Sequence, residues 1–174
     1  MYEKYLNDNN PVITFNIKDF GSIDIELFPE LAPNTVANFV DLATNNYFAG
    51  TTFHRVIKGF MIQGGGGSTP LRPISGEFNS NGFPNDLKHV KGVISMARTM
   101  NPNSATSQFF LMHETSPHLD GEYAGFGIAK TNLDLIDRIA NERTNAYDAP
   151  LNEVVIEGTT VNLNGYVLPQ VKYL

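Results

Sequence analysis

Cysteine is absent from the 174 residues, so disulfides and thiolate metal sites are excluded and the fold must be held by its core alone. Basic residues are few. Twelve Lys plus Arg stand against 18 Asp plus Glu, for a net charge of −6, and they form no cluster of the kind that gives nucleic-acid binders their affinity for phosphate. Long apolar runs are lacking too: nothing approaches the roughly 18 residues of a membrane span, and Met1 to Asp8 has neither the basic flank nor the apolar stretch of a signal peptide. No nucleic-acid or membrane partner is therefore expected, and the expected address is cytoplasmic. Also missing is any linker, repeat or low-complexity block. What remains is 41% hydrophobic and 17% charged residues, an ordinary globular composition. One domain over residues 1–174 is expected, long enough to bury about 70% of its unfolded surface.

The clearest pattern is alternation. Ile13, Phe15 and Ile17 alternate with Thr14, Asn16 and Lys18, and after Asp19-Phe20-Gly21 the residues Ile23, Ile25 and Leu27 alternate with Asp24 and Glu26, which predicts a hairpin with one buried face. Pro33 then opens a segment with Val36, Phe39, Val40 and Ala43 at helical spacing, ended by Asn45-Asn46. A second helix is predicted through Leu135, Ile136, Ile139 and Ala140, after Thr131-Asn132 and with Asp134 where an acid suits the helix dipole. Further strands are predicted at residues 52–57, 61–64, 92–97, 107–112, 126–129 and 153–161. Eight short strands and two helices result. They can stack as a sandwich or close into a barrel; closure leaves no aggregation-prone edge, yet alternation alone does not choose. The last stretch, 165–174, carries Tyr166, Val167, Leu168 and Val171, enough apolar surface to dock on the body.

Familiar catalytic devices are missing. His54, His89, His113 and His118 form no metal-binding spacing, so no metal is expected, and no Gly-x-Ser-x-Gly elbow supports a serine hydrolase. The run Gly64-Gly65-Gly66-Gly67-Ser68 has the composition of a phosphate-cradling loop without its Gly-Lys-Ser/Thr ending or a following helix. A flexible turn is the simpler reading. Strand periodicity is more informative. It sets Arg55 opposite His54 and Val56, with His54 expected on the core side, and puts Met61 and Gln63 on one face with Ile62 on the other. In 107–112 it separates Gln108, Phe110 and Met112 from Phe109 and Leu111. One face of each strand can be core, and the other then shows Met61 and Phe110 beside Arg55, Gln63 and Gln108. Greasy side chains around a cation suit a binding groove. A lone arginine on a strand, though, is more often paired with a surface acid, with the Phe and Met beside it covering core under a loop.

At this point the residues resemble a known family. Phe53-His54-Arg55-Val56-Ile57-Lys58-Gly59-Phe60-Met61-Ile62-Gln63-Gly64-Gly65 is similar, nearly residue for residue, to the central signature of the cyclophilins, which are peptidyl-prolyl cis-trans isomerases. Gly92 to Ala97, Ser104 to Phe110 and Leu119-Asp120-Gly121 continue it in order, and the match looks closer to the bacterial branch than to the eukaryotic cytosolic one. The resemblance covers about residues 10–163, leaving 164–174 as a C-terminal extension. It implies a mainly β fold, a closed eight-stranded antiparallel barrel capped by two α-helices, and isomerisation of Xaa-Pro bonds in peptides and folding proteins. It implies no cofactor, and a monomer. By the same resemblance Arg55 and Gln63 are catalytic, Gln63 orienting Arg55. Phe60, Met61, Phe110 and Leu119 hold the proline ring, Ala97 and the backbone around Arg98 hold the residues before it, and Gln108, His118 and Tyr123 complete the substrate site. There are departures. His118 stands where many eukaryotic members carry a Trp that contributes to cyclosporin binding, so weak cyclosporin binding is expected, and Tyr123 stands where they carry His. Tyr123 either donates to the substrate backbone or covers the rim. Glycines replace the usual acid after Gln63-Gly64-Gly65, and Ser68 to Pro73 displaces a glycine-rich loop. Arg98-Thr99-Met100-Asn101-Pro102 follows the bacterial pattern and bears on what precedes the proline.

Overall fold

The computed structural model describes residues 1–174. Its first hairpin follows the alternation. Strands β1 (Val12–Ile17) and β2 (Gly21–Leu27) pair antiparallel from Val12 opposite Glu26 to Ile17 opposite Gly21, which sends Ile13, Phe15, Ile17, Ile23, Ile25 and Leu27 inward. Helix α1 (Pro33–Thr44) buries Val36, Phe39, Val40 and Ala43. Ala32 gives its N-terminus no side-chain cap. A carboxylate from a distant loop serves instead: Glu77 accepts from the Thr35 amide and hydroxyl, both at 2.6 Å, and from the Asn34 amide at 3.2 Å. This satisfies donors that the first helical turn leaves orphaned and sets a negative charge against the dipole.

The remaining strands are β3 (Arg55–Ile57), β4 (Met61–Gly64), β5 (Val93–Met96), β6 (Phe109–Met112), β7 (Gly125–Ala129) and β8 (Ile156–Asn162), with α2 (Leu133–Ala140) before the last. All pair antiparallel in the order β3-β4-β6-β5-β7-β2-β1-β8. The result is a curled half-barrel with two helices. The closed barrel implied above is corrected here, because β3 and β8 are sheet ends with no ladder between them. Strand β3 is three residues long, and on its free side the Val56 amide donates to the Asp148 carbonyl of the 143–151 loop. Ahead of the two end strands, only an isolated bridge from Thr52 to Val155 and neighbouring backbone bonds span the seam. The β3 edge is thus covered by loop, another answer to the same aggregation problem.

Short strands account for a second correction. Residues 52–54 lie outside β3, so alternation lapses between Phe53 and Val56, which are both buried. His54, expected on the core side, is exposed. From Arg55 onward the period-two reading holds. On β6, Phe109 and Leu111 join the main core while Phe110 and Met112 join a smaller cluster on the other face, with Met61 and Leu119. Phe109 sits in an aromatic knot with Phe15, Phe39, Phe48 and Phe53, at centroid distances of 5.3, 5.4, 5.7 and 5.9 Å.

That knot explains the first two glycines of the Gly64 to Gly67 run. A Cβ on Gly64 would lie 2.7 Å from the Thr52 carbonyl oxygen, and one on Gly65, whose φ is +87°, would lie 2.7 Å from the Phe109 ring. These glycines let backbone pack on backbone and ring. The C-terminal extension docks by only part of its apolar set: Tyr166 and Val171 pack against the core, whereas Val167 and Leu168 stay exposed, and polar contacts do the rest, with Lys172 and Asn34 exchanging hydrogen bonds of 2.8 and 2.9 Å and Arg72 donating to the Leu174 carbonyl at 2.9 Å.

Candidate active site

The tight β3–β4 hairpin places Gln63 directly opposite Arg55, and the β4–β6 pairing places Phe110 opposite Gln63. Directly paired residues share a face of the sheet. Arg55 Nη1 donates to Gln63 Oε1 at 3.3 Å, and Gln63 Nε2 donates to Gln108 Oε1 at 3.1 Å. Arg55 is exposed and has no carboxylate within 4.0 Å. The surface ion pair that its position allowed does not form.

Beside it opens a cavity of ≈ 130 Å³ whose nine lining residues are Arg55, Phe60, Met61, Gln63, Ala97, Arg98, Phe110, Leu119 and Tyr123. Every one of them was expected from the sequence. Met61, Phe110 and Leu119 are nearly buried, at 2%, 5% and 6% exposure, and make an apolar floor. Tyr123 stands edge-on to Phe110 at 5.8 Å and 82°. Two expected residues stand aside. Gln108 reaches the site through Gln63 and lines an adjoining polar hollow of ≈ 220 Å³ with Thr99, Ser104 and Thr106. His118 is exposed and packs on Phe60, ring centroids 5.6 Å apart, without lining the cavity.

Arg98 contributes its side chain as well as its backbone. Nε and Nη2 donate to the Glu122 carbonyl at 3.2 and 2.8 Å, Nη1 donates to the Thr99 carbonyl at 2.9 Å, and the guanidinium lies 4.5 Å from the Tyr123 ring centroid and 5.0 Å from that of Phe78. Sandwiched this way, it holds the chain on both sides of the cavity together.

Two histidines without a role in the sequence reading acquire surroundings here. His113 accepts the Gly59 amide at Nδ1 (2.9 Å) and meets Asp137 at Nε2 (3.1 Å), tying the β3–β4 turn to α2. His89 is 1% exposed and lies behind Phe110, between Asp120 and Ser95. Burial holds its imidazole below the ordinary histidine range, against the opposing pull of Asp120. No sequence pattern announced this, since His89 sits in a loop and Asp120 lies 31 positions away.

A larger hollow of ≈ 560 Å³ lies between the start of α1 and the C-terminal extension and shares no residue with this cavity. The chemistry is therefore sought at the smaller one. The lining of the smaller cavity offers no thiol, serine, carboxylate or imidazole, and the Tyr123 phenol is its one neutral group able to move a proton. A permanent cation beside an apolar slot remains, and that suits a reaction in which no covalent bond breaks.

Comparisons with known proteins agree. Residues 12–161 match the family described as cyclophilin type peptidyl-prolyl cis-trans isomerase/CLD. Peptidyl-prolyl cis-trans isomerase-like 3 of Gallus gallus is 41% identical, over 86% of this chain and 96% of its own. Peptidyl-prolyl cis-trans isomerase B of Escherichia coli is 37% identical, over 87% and 99%. Among solved structures, a cyclophilin type isomerase of Cryptosporidium parvum superposes with a TM-score of 0.78 at 28% identity, covering 88% of this chain and 97% of that one. Signature, half-barrel and cavity coincide in one chain with these matches, and it belongs to the cyclophilin-type peptidyl-prolyl cis-trans isomerases.

Proposed function

We propose that the cavity seats the proline ring of an Xaa-Pro segment in peptides and folding proteins, and that Arg55 stabilises the imide while it is twisted. An amide resists rotation because its nitrogen lone pair is delocalised, with a barrier of ~18–20 kcal/mol, and Xaa-Pro bonds left alone take tens to hundreds of seconds. In the twisted state the lone pair returns to the prolyl nitrogen. A donor beside that nitrogen has little to bind in the planar ground state and much more in the transition state. Arg55 is such a donor: always charged, planar, and able to reach both the nitrogen and a backbone carbonyl. Met61, Phe60, Phe110 and Leu119 anchor the ring, Ala97 and the Arg98 backbone hold what precedes it, and the apolar walls strengthen the cationic contact. An acceleration of ~10⁵-fold asks these effects together for ~7 kcal/mol.

The observation that carries this reading is the pairing of an arginine free of any acid with a nearly dry apolar floor in one cavity. One structural relative is a cyclophilin from Cryptosporidium parvum solved in the presence of the dipeptide Ala-Pro, with a TM-score of 0.77, which supports a proline-containing ligand here. The same arrangement predicts weak cyclosporin binding, because His118 turns to Phe60 and presents no indole at the rim.

The experiment is Xaa-Pro exchange measured by NMR, or a protease-coupled assay, on wild type and Arg55→Ala. Turnover is expected to fall about 10²–10³-fold in the variant while proline-peptide binding persists. Equal turnover in both overturns the role of Arg55. Equal, near-zero turnover with retained binding makes this chain a proline-peptide holder instead.

A further inference from the structure

We infer that His113 is a positioning residue and a pH-sensitive latch on the mouth of the cavity: as a neutral imidazole it accepts the Gly59 amide and holds the β3–β4 turn, and with it Phe60, in the form that seats the proline ring, and as an imidazolium it lets that turn go. This rests on the proposed seat of the ring, of which Phe60 is a wall. The turn has a form that needs holding. The Phe60 amide donates to the Ile57 carbonyl at 3.0 Å, closing a four-residue turn in which Gly59, the third residue, alone has a positive φ, +81°. A positive φ at that position alone marks a type II turn, whose central peptide is turned over relative to type I. The N–H of that peptide belongs to Gly59, and it donates to His113 Nδ1 at 2.9 Å.

A backbone N–H only donates, so Nδ1 is bare and the ring proton sits on Nε2, where it is given to Asp137 Oδ1 at 3.1 Å. Phe60 is bound to the same residue through the main chain, its carbonyl accepting the amides of His113 at 2.9 Å and Glu114 at 3.4 Å. One residue just beyond β6 therefore holds this wall twice. Protonation undoes the side-chain hold. An imidazolium carries N–H on both nitrogens, so Nδ1–H would face the Gly59 N–H with no acceptor between them. The charged groups around the ring are Asp137 from α2, Lys91 ahead of β5, which donates to the same carboxylate oxygen at 2.6 Å, exposed Lys58 in the turn, and Glu114, whose Oε2 lies 3.8 Å from the Cβ position of Gly59. The Lys91 ammonium beside Asp137 holds its carboxyl below the usual carboxylate range. Asp137 is thus a carboxylate throughout the neutral range, and acid reaches the imidazole first. Isomerisation needs a still proline ring while the preceding segment turns, and small misplacements of its wall are costly.

The test is kcat/KM for Xaa-Pro exchange, read by NMR between about pH 8 and about pH 5.5 at a temperature where the protein stays folded, in wild type, His113→Asn and His113→Leu. Asn sets an amide oxygen near the place of Nδ1, an acceptor that does not titrate; Leu keeps bulk without an acceptor. Wild type is expected to lose about five- to tenfold on acidification, along the His113 titration followed in ¹⁵N imidazole spectra, which at the alkaline end should show the Nε2-protonated tautomer. His113→Asn is expected to stay within about twofold of alkaline wild type and to be flat with pH, and His113→Leu to be low throughout. An Nδ1-protonated neutral ring, or a wild-type profile flat across the His113 titration, overturns the latch. So does an acid limb that persists in His113→Asn, which would belong to another histidine such as His118 on Phe60. Should His113→Leu fail to fold, wild type, His113→Asn and the spectra still decide. Arg55→Ala separates the two readings: unimpaired turnover in that variant sinks the reading of the cavity, whereas its loss beside a flat wild-type pH profile sinks the latch alone.

Discussion

Gln63 lies opposite Arg55 in the β3–β4 ladder and accepts its Nη1 at 3.3 Å while giving its own amide to Gln108 at 3.1 Å. The arginine is thus aimed by a neutral acceptor that leaves its charge intact. Gln63→Ala should lower kcat/KM about tenfold without loss of stability, since the residue is only half-buried and holds geometry more than mass. Gln63→Glu should cost at least as much, because a carboxylate there would neutralise the cation it orients. A protease-coupled assay on both variants checks this, and wild-type activity in Gln63→Glu would contradict it.

Arg55→Lys separates charge from shape. A lysine keeps the positive charge but offers a point donor in place of a planar fork. Turnover should drop about 10²-fold, closer to the alanine variant than to wild type. NMR line-shape analysis of a proline peptide reads the exchange rate directly.

His118 offers a gain-of-binding test. It packs on Phe60 from outside the cavity, so His118→Trp adds apolar area and an indole donor at the rim. Cyclosporin inhibition should tighten by about tenfold or more, the worth of roughly one hydrogen bond and a modest apolar patch. Isomerase activity without inhibitor should hold. An unchanged inhibition constant would show that the Trp position is not what limits cyclosporin here.

The aromatic knot sets stability. Phe109→Ala empties the centre of four ring contacts and should cost about 3–5 kcal/mol in urea unfolding. Gly65→Ala adds a methyl where φ is +87° and the Phe109 ring would be 2.7 Å away, and should cost about 2–4 kcal/mol through backbone strain and overpacking.

Acid should weaken the fold through His89. Burial, its largest influence, lowers its folded pKa, with Asp120 opposing, so between the folded value and the unfolded value of about 6.5 the unfolded chain binds the extra proton. The stability it contributes is complete above that unfolded value and is lost as pH falls through the folded one. Urea midpoints measured from pH 8 to pH 5 should decline in wild type and decline less in His89→Gln. His54 is shifted in the same direction, again by burial first, but its exposure makes its share small.

Much of this molecule is legible in its sequence, and the reason is local. Period-two alternation through Met61-Ile62-Gln63 and Phe109-Phe110-Leu111-Met112 sorts core from cavity correctly, because a strand turns its side chains by a fixed rule. The cavity lining follows once the family signature at Phe53 to Gly65 is recognised. What escapes is decided by long-range partners. Whether β3 and β8 meet depends on where the 143–151 loop runs. The cap on α1 comes from Glu77, some forty residues on. His54 misleads because strand geometry begins only at Arg55, and His89 is silent because its meaning lies in Asp120, Ser95 and Phe110 together.

The seam beside β3 has an engineering consequence. Where two strands are knitted by a ladder, lengthening the chain between them shifts the register of everything downstream. Here the free side of β3 is met by a surface turn around Tyr147 and Asp148, whose Asp148 carbonyl accepts the Val56 amide next to Arg55. A guest sequence grafted at Tyr147 would leave the pairing of all eight strands untouched, since exposed turns accept insertions at little cost. It would also sit beside Val56, the chain neighbour of Arg55, making that turn a natural place to append a client-recruiting module.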